Sequence, residues 1–242
     1  MKDKKGCTEI TEKLWFAMLL AATGGFMDMY SYTVHGNVFA TGQTGNFVLV
    51  AVHLAKQDYT GVFRCIIPIL SFWIGIFIAW HMFYSYFKEK QLLWKRSIIV
   101  AEIITVFIAG FIPLSCPDII ANTLVSFAAS LQFCAFRKLG TSENYASIFC
   151  TGNMRSCAEN YYKGIARKDS QCLKKAMRYS TILISFFMGA IISALEAGFL
   201  HQKAIWSVDV IFLSALIASF VLNIRMKRNS FEDEEALEER AV

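Results

Sequence analysis

The sequence predicts an all-α polytopic membrane protein, with six transmembrane helices and two re-entrant, broken half-helices in two inverted-topology repeats. Three observations carry that expectation. Apolar residues come in runs near the length of a bilayer span, roughly 20 residues. The tripeptide Thr-Gly-Asn interrupts two of those runs, at Thr44–Asn46 and Thr151–Asn153. Basic residues collect in a few connecting segments and are nearly missing from the others.

Composition sets the class. The chain of 242 residues is 55% hydrophobic and 18% charged, and its mean hydropathy is +0.43. A soluble domain is nearer a quarter charged. The amino terminus superficially resembles a signal peptide, because "LWFAMLLAATGG" follows a charged stretch. The first thirteen residues carry three acids, however, and the apolar pattern runs on to Val34, so a first transmembrane helix is expected. The seven cysteines are scattered without metal or redox spacing, and no phosphate loop or nucleophile–base pair is present. No enzyme activity, metal, cofactor or nucleic-acid partner is expected.

Eight apolar segments follow one another: Leu14–Val34, Val38–Ala55, Cys65–Phe87, Ser97–Ile112, Ile119–Phe136, Tyr145–Tyr162, Tyr179–Leu200 and Ile205–Ile224. Cytoplasmic loops carry an excess of Lys and Arg. Here the basic clusters are the amino-terminal tail, Lys88–Arg96, Arg137–Lys138, Arg155–Arg178 and Arg225–Arg228. Eight spans would put Lys88–Arg96 outside. If the two Thr-Gly-Asn segments instead enter and leave on one side, every cluster falls in the cytoplasm, with both termini. The expected divisions are a tail over 1–13, repeats over 14–116 and 117–226, and a charged tail over 227–242.

The halves echo each other. "SFWIGIFIA" (Ser71–Ala79) matches "SFFMGAIIS" (Ser185–Ser193), and the Thr-Gly-Asn copies occupy equivalent places. Three spans per half invert the second half relative to the first, as in transporters that bind solute at the midplane. The small residues Ser71, Gly75, Ala79, Ser185, Gly189, Ser193 and Ala197 recur at four-residue steps and suit a packing seam, or a homodimer face.

Thr, Gly and Asn are helix-starting residues. The run after the first copy is about ten residues, roughly 15 Å, half of a ~30 Å hydrocarbon core. Each segment is therefore expected to turn at Thr-Gly-Asn and return as a half-helix, with Gly36–Gln43 and Leu139–Phe149 non-helical. The two amino termini, partial positive charges with free N–H donors, would face each other. The expected solute-binding residues are Gln43, Thr44, Gly45, Asn46, Thr151, Gly152 and Asn153, with Asp28 and Arg155 beside them. Asp28, mid-span, serves either the site or a structural partner. Arg155 either draws an anion or pairs with Glu159 one turn on. Glu102 and Asp209 lie near span ends and are expected at the interface.

"GGFMDMYSY", "NVFATGQTGN" and "LQFCAFRKLGTSENYASIFCTGNMRS" resemble the YoaK family of bacterial membrane proteins, a domain of unknown function. The resemblance runs from Leu14 to Ile224 and implies a bacterial inner-membrane location, but no substrate. The residues themselves point to a transporter or channel for a small polar or anionic solute. A non-transporting scaffold or sensor that binds a partner is the alternative, and a dry interface between the motifs would favour it.

Overall fold

The computed structural model describes residues 9–140 and 143–239, with side chains as far as Arg225. The basic residues of the first eight positions, Cys7 and the side chains of the acidic tail lie outside that set. Eight α-helices are described: α1 Leu14–Val34, α2 Gln43–Ala55, α3 Tyr59–Met82, α4 Gln91–Ala109, α5 Asp118–Ala135, α6 Thr151–Ala166, α7 Ser170–Leu200 and α8 Trp206–Glu239. A π-helical turn, Phe83–Phe87, extends α3, and 3-10 turns precede α1 and join α7 to α8. A short antiparallel pair, β1 (Lys138–Leu139) and β2 (Glu143–Asn144), follows α5.

Three helical stretches are long and apolar enough to cross a membrane: Tyr59–Phe87, Asp118–Ala135 and Ser170–Arg225. Large apolar side chains point outward from them, with Phe77 70% and Leu195 66% exposed. A water-soluble surface does not carry such a belt, and the protein is an integral membrane protein. α1 and α4 are longer than 18 residues but diluted by polar side chains, Asp28 in α1 and Lys95, Arg96 and Glu102 in α4.

Helices pack across the two halves. α3 lies on α5, and α7 lies on α1. Within the halves α2 lies on α3 and α6 on α7, while α4 meets α8. Exchanging α1–α4 for α5–α8 leaves this pattern unchanged. The small-residue stripe is where these contacts close. A Cβ on Gly25 would strike the backbone carbonyl of Phe186, and one on Gly189 the carbonyl of Ala22. On the other side, a Cβ on Gly75 would strike Ser130 Oγ. Glycine lets these backbones touch, and close approach is what holds helices together where lipid supplies no hydrophobic drive.

The turns repeat as well. Gln57 and Lys168 each take positive φ, +57° and +52°, and each is followed by an aspartate that caps the next helix. Asp58 accepts from the Gly61 N–H at 3.0 Å, and Asp169 from the Gln171 N–H at 2.9 Å. The Gly61 amide holds the Asp58 carboxyl below the usual carboxylate range, and at Asp169 the Cys172 thiol does so first, followed by the Cys172 and Gln171 amides.

Polar contacts gather the helix ends into two groups. At one end Lys95 on α4 binds Glu9, Arg178 on α7 binds Glu143 on β2, and the Gly140 N–H donates to the Glu12 carbonyl. At the other, His35 after α1 meets Asp118 on α5, and Tyr30 donates to the Gln202 carbonyl. The described basic clusters thus share one end.

Two expectations need correction. Glu102 and Asp209 do not face outward as interfacial groups would. Glu102 is fully buried and Asp209 6% exposed, and none of their carboxylate oxygens has a partner among the described residues. The cause at Glu102 is that α4 starts at Gln91, six residues before the apolar run, so position 102 falls mid-helix. Asp209 sits in the first turn of α8, but its side chain turns inward.

The glycine crossings are open to test. Gly189→Leu forces α1 and α7 apart, whereas nothing lies within 4 Å of a Cβ at Gly198 on the same helix. Overpacking of about 1–3 kcal/mol is expected to lower the unfolding midpoint by roughly 2–12 °C for Gly189→Leu. Gly198→Leu should leave it unmoved when both are melted in detergent. Equal midpoints for the two variants would contradict the packing described here.

Candidate functional site

Two stretches of non-helical backbone, residues 38–42 and 145–150, lie inside the protein between helices. Non-helical chain exposes its N–H and C=O groups, and at membrane depth each must find a partner within the protein. The partners are side chains, and the two stretches use the same device. Asn46 accepts from the Phe39 N–H at 3.1 Å and donates to the Phe39 carbonyl at 2.7 Å. Asn153 accepts from the Ala146 N–H at 3.0 Å and donates to the Ala146 carbonyl at 2.8 Å. Each asparagine clips the residue seven places before it. One carboxamide offers both a donor and an acceptor, as a neighbouring strand would.

Other partners differ between the stretches. Asp28 Oδ1 accepts from the Thr41 and Gly42 N–H groups at 2.8 and 3.1 Å, and Ser31 Oγ accepts from the Ala40 N–H. Gln43 donates to the Ala40 carbonyl and to Ser126 Oγ on α5. The stretches touch where the Thr41 hydroxyl donates to the Ile148 carbonyl at 3.2 Å. Both residues stand five places before their asparagine. Gly24 makes room for this, since a Cβ there would lie 2.9 Å from the Ile148 Cα.

A cavity of about 490 Å³ opens beside the crossing. Thr44 and Gly45 from the start of α2, and Thr151 and Gly152 from the start of α6, line it together with Asp28. Phe39, Ile148, Phe149 and Phe186 supply apolar wall, and Cys150 adds a thiol. Neither helix start has a side-chain cap, at Gly42 or at Cys150. The two helix starts, each a partial positive charge, therefore meet at one chamber, although the Gln43 and Gly45 amides of α2 already donate to the Thr41 and Gly42 carbonyls. α2 leaves it toward the His35–Asp118 end, where α3 begins, and α6 leaves it toward the basic end, where α7 begins.

The expected residues separate into two groups. Thr44, Gly45, Thr151, Gly152 and Asp28 come together at the cavity. Asn46, Asn153, Gln43 and Arg155 do not line it. Asn46 and Asn153 are 0% and 3% exposed, and they hold backbone instead of capping their helices. Gln43 is turned toward α5. Arg155 lies one turn up α6, roughly 6 Å from its start, with its side chain outward, and Glu159 pairs with Lys163. The apolar wall carries no signal a sequence reading could use among 21 phenylalanines. Phe186 is the exception, lying within the matched "SFFMG".

The clips have measurable weight. Asn46→Ala or Asn153→Ala strands a buried N–H and C=O, and the expected cost is about 1–3 kcal/mol each. The two variants should lose stability by similar amounts in detergent melts. Unchanged melts with lost solute binding would instead return the asparagines to the cavity.

The family model described as "Protein of unknown function (DUF1275)" matches residues 16–218. The chain is similar to the UPF0700 transmembrane protein YoaK of Bacillus subtilis (strain 168), with 26% identity over 209 residues, 83% of this chain and 91% of that protein. No solved structure matches significantly. The matched region contains the stretches 38–42 and 145–150, helices α2 and α6 and the cavity between them, and the chain belongs to the DUF1275 family of proteins of unknown function.

Proposed function

We propose that this protein is a transporter for a small polar solute, received between the facing starts of α2 and α6. The observation that carries this reading is the shared cavity. Two copies of Thr-Gly, 107 positions apart, line one chamber with uncapped helix starts. A scaffold has no use for such a chamber, and a dry contact would have filled it. In this reading α1, α3, α4, α5, α7 and α8 span the bilayer, while α2 and α6 are re-entrant. The halves are then inverted repeats, with the basic end in the cytoplasm. The exchange-invariant packing and the clustering of charge at one end support that layout.

The lining selects among solutes. Threonine hydroxyls, the Cys150 thiol and helix-start amides suit a hydroxyl-, carbonyl- or amide-bearing molecule. An anion is attracted by the amides and opposed by the Asp28 carboxylate. A neutral polar solute therefore fits best, and an anionic one is the second choice.

Nothing lies within 4 Å of a Cβ at Gly152, so a larger residue there projects into free space. Gly152→Leu is expected to occupy the cavity and abolish uptake while membrane accumulation stays at the wild-type level. The measurement is uptake by a strain lacking the protein, screened over small polar solutes and complemented with each form. Full complementation by Gly152→Leu would defeat the site. Sidedness is tested in a cysteine-free background with an impermeant thiol reagent. Lys90→Cys should label only from the cytoplasm and Lys56→Cys only from outside. Labelling of Lys90→Cys from outside alone would sink the six-span layout.

A further inference from the structure

A second cavity, of about 570 Å³, lies at the basic end, away from the first. The end of α3, the start of α4, the end of α5 and the β pair enclose it. Its wall on one side is aromatic. Trp80 stacks on Tyr84 with centroids 5.6 Å apart and meets Trp94 at 5.9 Å, and Phe83 packs on Trp94 at 4.9 Å. The Trp94 N–H is already used, donating to the Ala79 carbonyl, so the rings present mainly apolar surface.

The rest of the lining is cationic. Lys95, Arg137 and Lys138 line the cavity, and no carboxylate does among the described residues. Lys95 is neutralised by Glu9 at 2.8 Å and Glu12 at 3.7 Å. Arg137 and Lys138 are exposed and have no ion-pair partner among the described residues. Gln91, at the first position of α4, completes this side, and α4 starts without a side-chain cap. Uncompensated cations, free helix-start amides and an aromatic shelf stand in one chamber at the end of a membrane protein.

We propose that this chamber binds an acidic phospholipid, with the headgroup phosphate held by Arg137, Lys138 and the first turn of α4. The acyl chains leave across Trp80 and Tyr84, the latter 63% exposed at the outer face. Each part of the lining has a counterpart in such a lipid. Phosphate meets cations and amides, and the glycerol and upper chains meet the rings, which favour the headgroup level of a membrane. A free phosphate ion would leave the aromatic wall unused, and a zwitterionic headgroup would bring a cation into an already cationic site. The inference rests on the membrane character of the protein and not on transport.

The test uses the full-length protein in phosphatidylcholine nanodiscs doped with dioleoyl phosphatidylglycerol, released into native mass spectrometry. The expected result is one retained phosphatidylglycerol per chain and little retained phosphatidylcholine. Removing two surface cations should weaken retention roughly 30-fold, so the double variant Arg137→Gln/Lys138→Gln should lose the lipid. Arg167→Gln/Lys168→Gln removes the same charge from the α6–α7 turn and should retain it. Trp80→Leu should weaken retention without a change of charge. Equal loss from both double variants would reduce the effect to general attraction and overturn the site. Displacement of the lipid from wild-type protein by excess inorganic phosphate would overturn the lipid assignment, and that arm needs no variant.

Discussion

An unpaired backbone amide or carbonyl at membrane depth costs several kcal/mol, because no water is present to take its place. Everything near the centre of this protein answers to that cost. The stretches 38–42 and 145–150 leave both helices and sheets, and each must be paired group by group. Asn46 and Asn153 do the same work at the same offset. Asp28, Ser31, Gln43 and Ser126 finish the first stretch. The helix starts that follow are left open, and the cavity exists because the loops are held back from closing it.

The two halves share a plan and differ where chemistry enters. Their packing and their α2–α3 and α6–α7 turns correspond. The joining segments do not, since eight residues lead from α1 to α2 while fifteen, including the β pair, lead from α5 to α6. Asp28 holds Thr41 and Gly42, and among the described residues no carboxylate is bonded to Ile148 or Phe149 at the matching places. Phe186 lines the cavity, while its counterpart Phe72 is buried against Phe133 and Phe149. The chamber is therefore one-sided, with its acidic group supplied by the first half alone.

Much of the frame was legible. The first helix has the bounds that apolar patterning assigns to it, α6 starts at the second Thr-Gly-Asn, and α2 starts one residue before the first. Charge clustering anticipated which ends lie together. What patterning could not supply is the direction in which a polar side chain points. Asparagine suits a cap, a solute or a backbone clip equally well, and only the fold decides. Glu102 was misplaced for a related reason, since Lys95 and Arg96 hid the true start of α4. A usable signal was passed over. "AKQD" at Ala55–Asp58 and "ARKD" at Ala166–Asp169 mark the same turn and strengthen the repeat independently of Thr-Gly-Asn.

The seven-residue reach of the asparagine clips has a mechanical consequence. Both partners of each clip belong to the same half, so each loop is riveted to its own half-helix and moves with it as one stiff piece. Among the described residues one side-chain bond joins the two loops directly, while several tie the helices of the two halves. Thr41 to Ile148 joins the loops, Gln43 and the Ala40 carbonyl meet Ser126 on α5, and Thr23–Gln132, Ser71–Thr123, Asn122–His35, Tyr30–Gln202 and Arg96–Ser219 tie the helices of one half to those of the other. If the halves rock, shear falls on the helix-to-helix bonds while the geometry around each Thr-Gly is carried along intact. The Thr41–Ile148 contact, joining equivalent points of the two pieces, then sits at the fulcrum, where displacement is smallest and a hydrogen bond can survive the stroke.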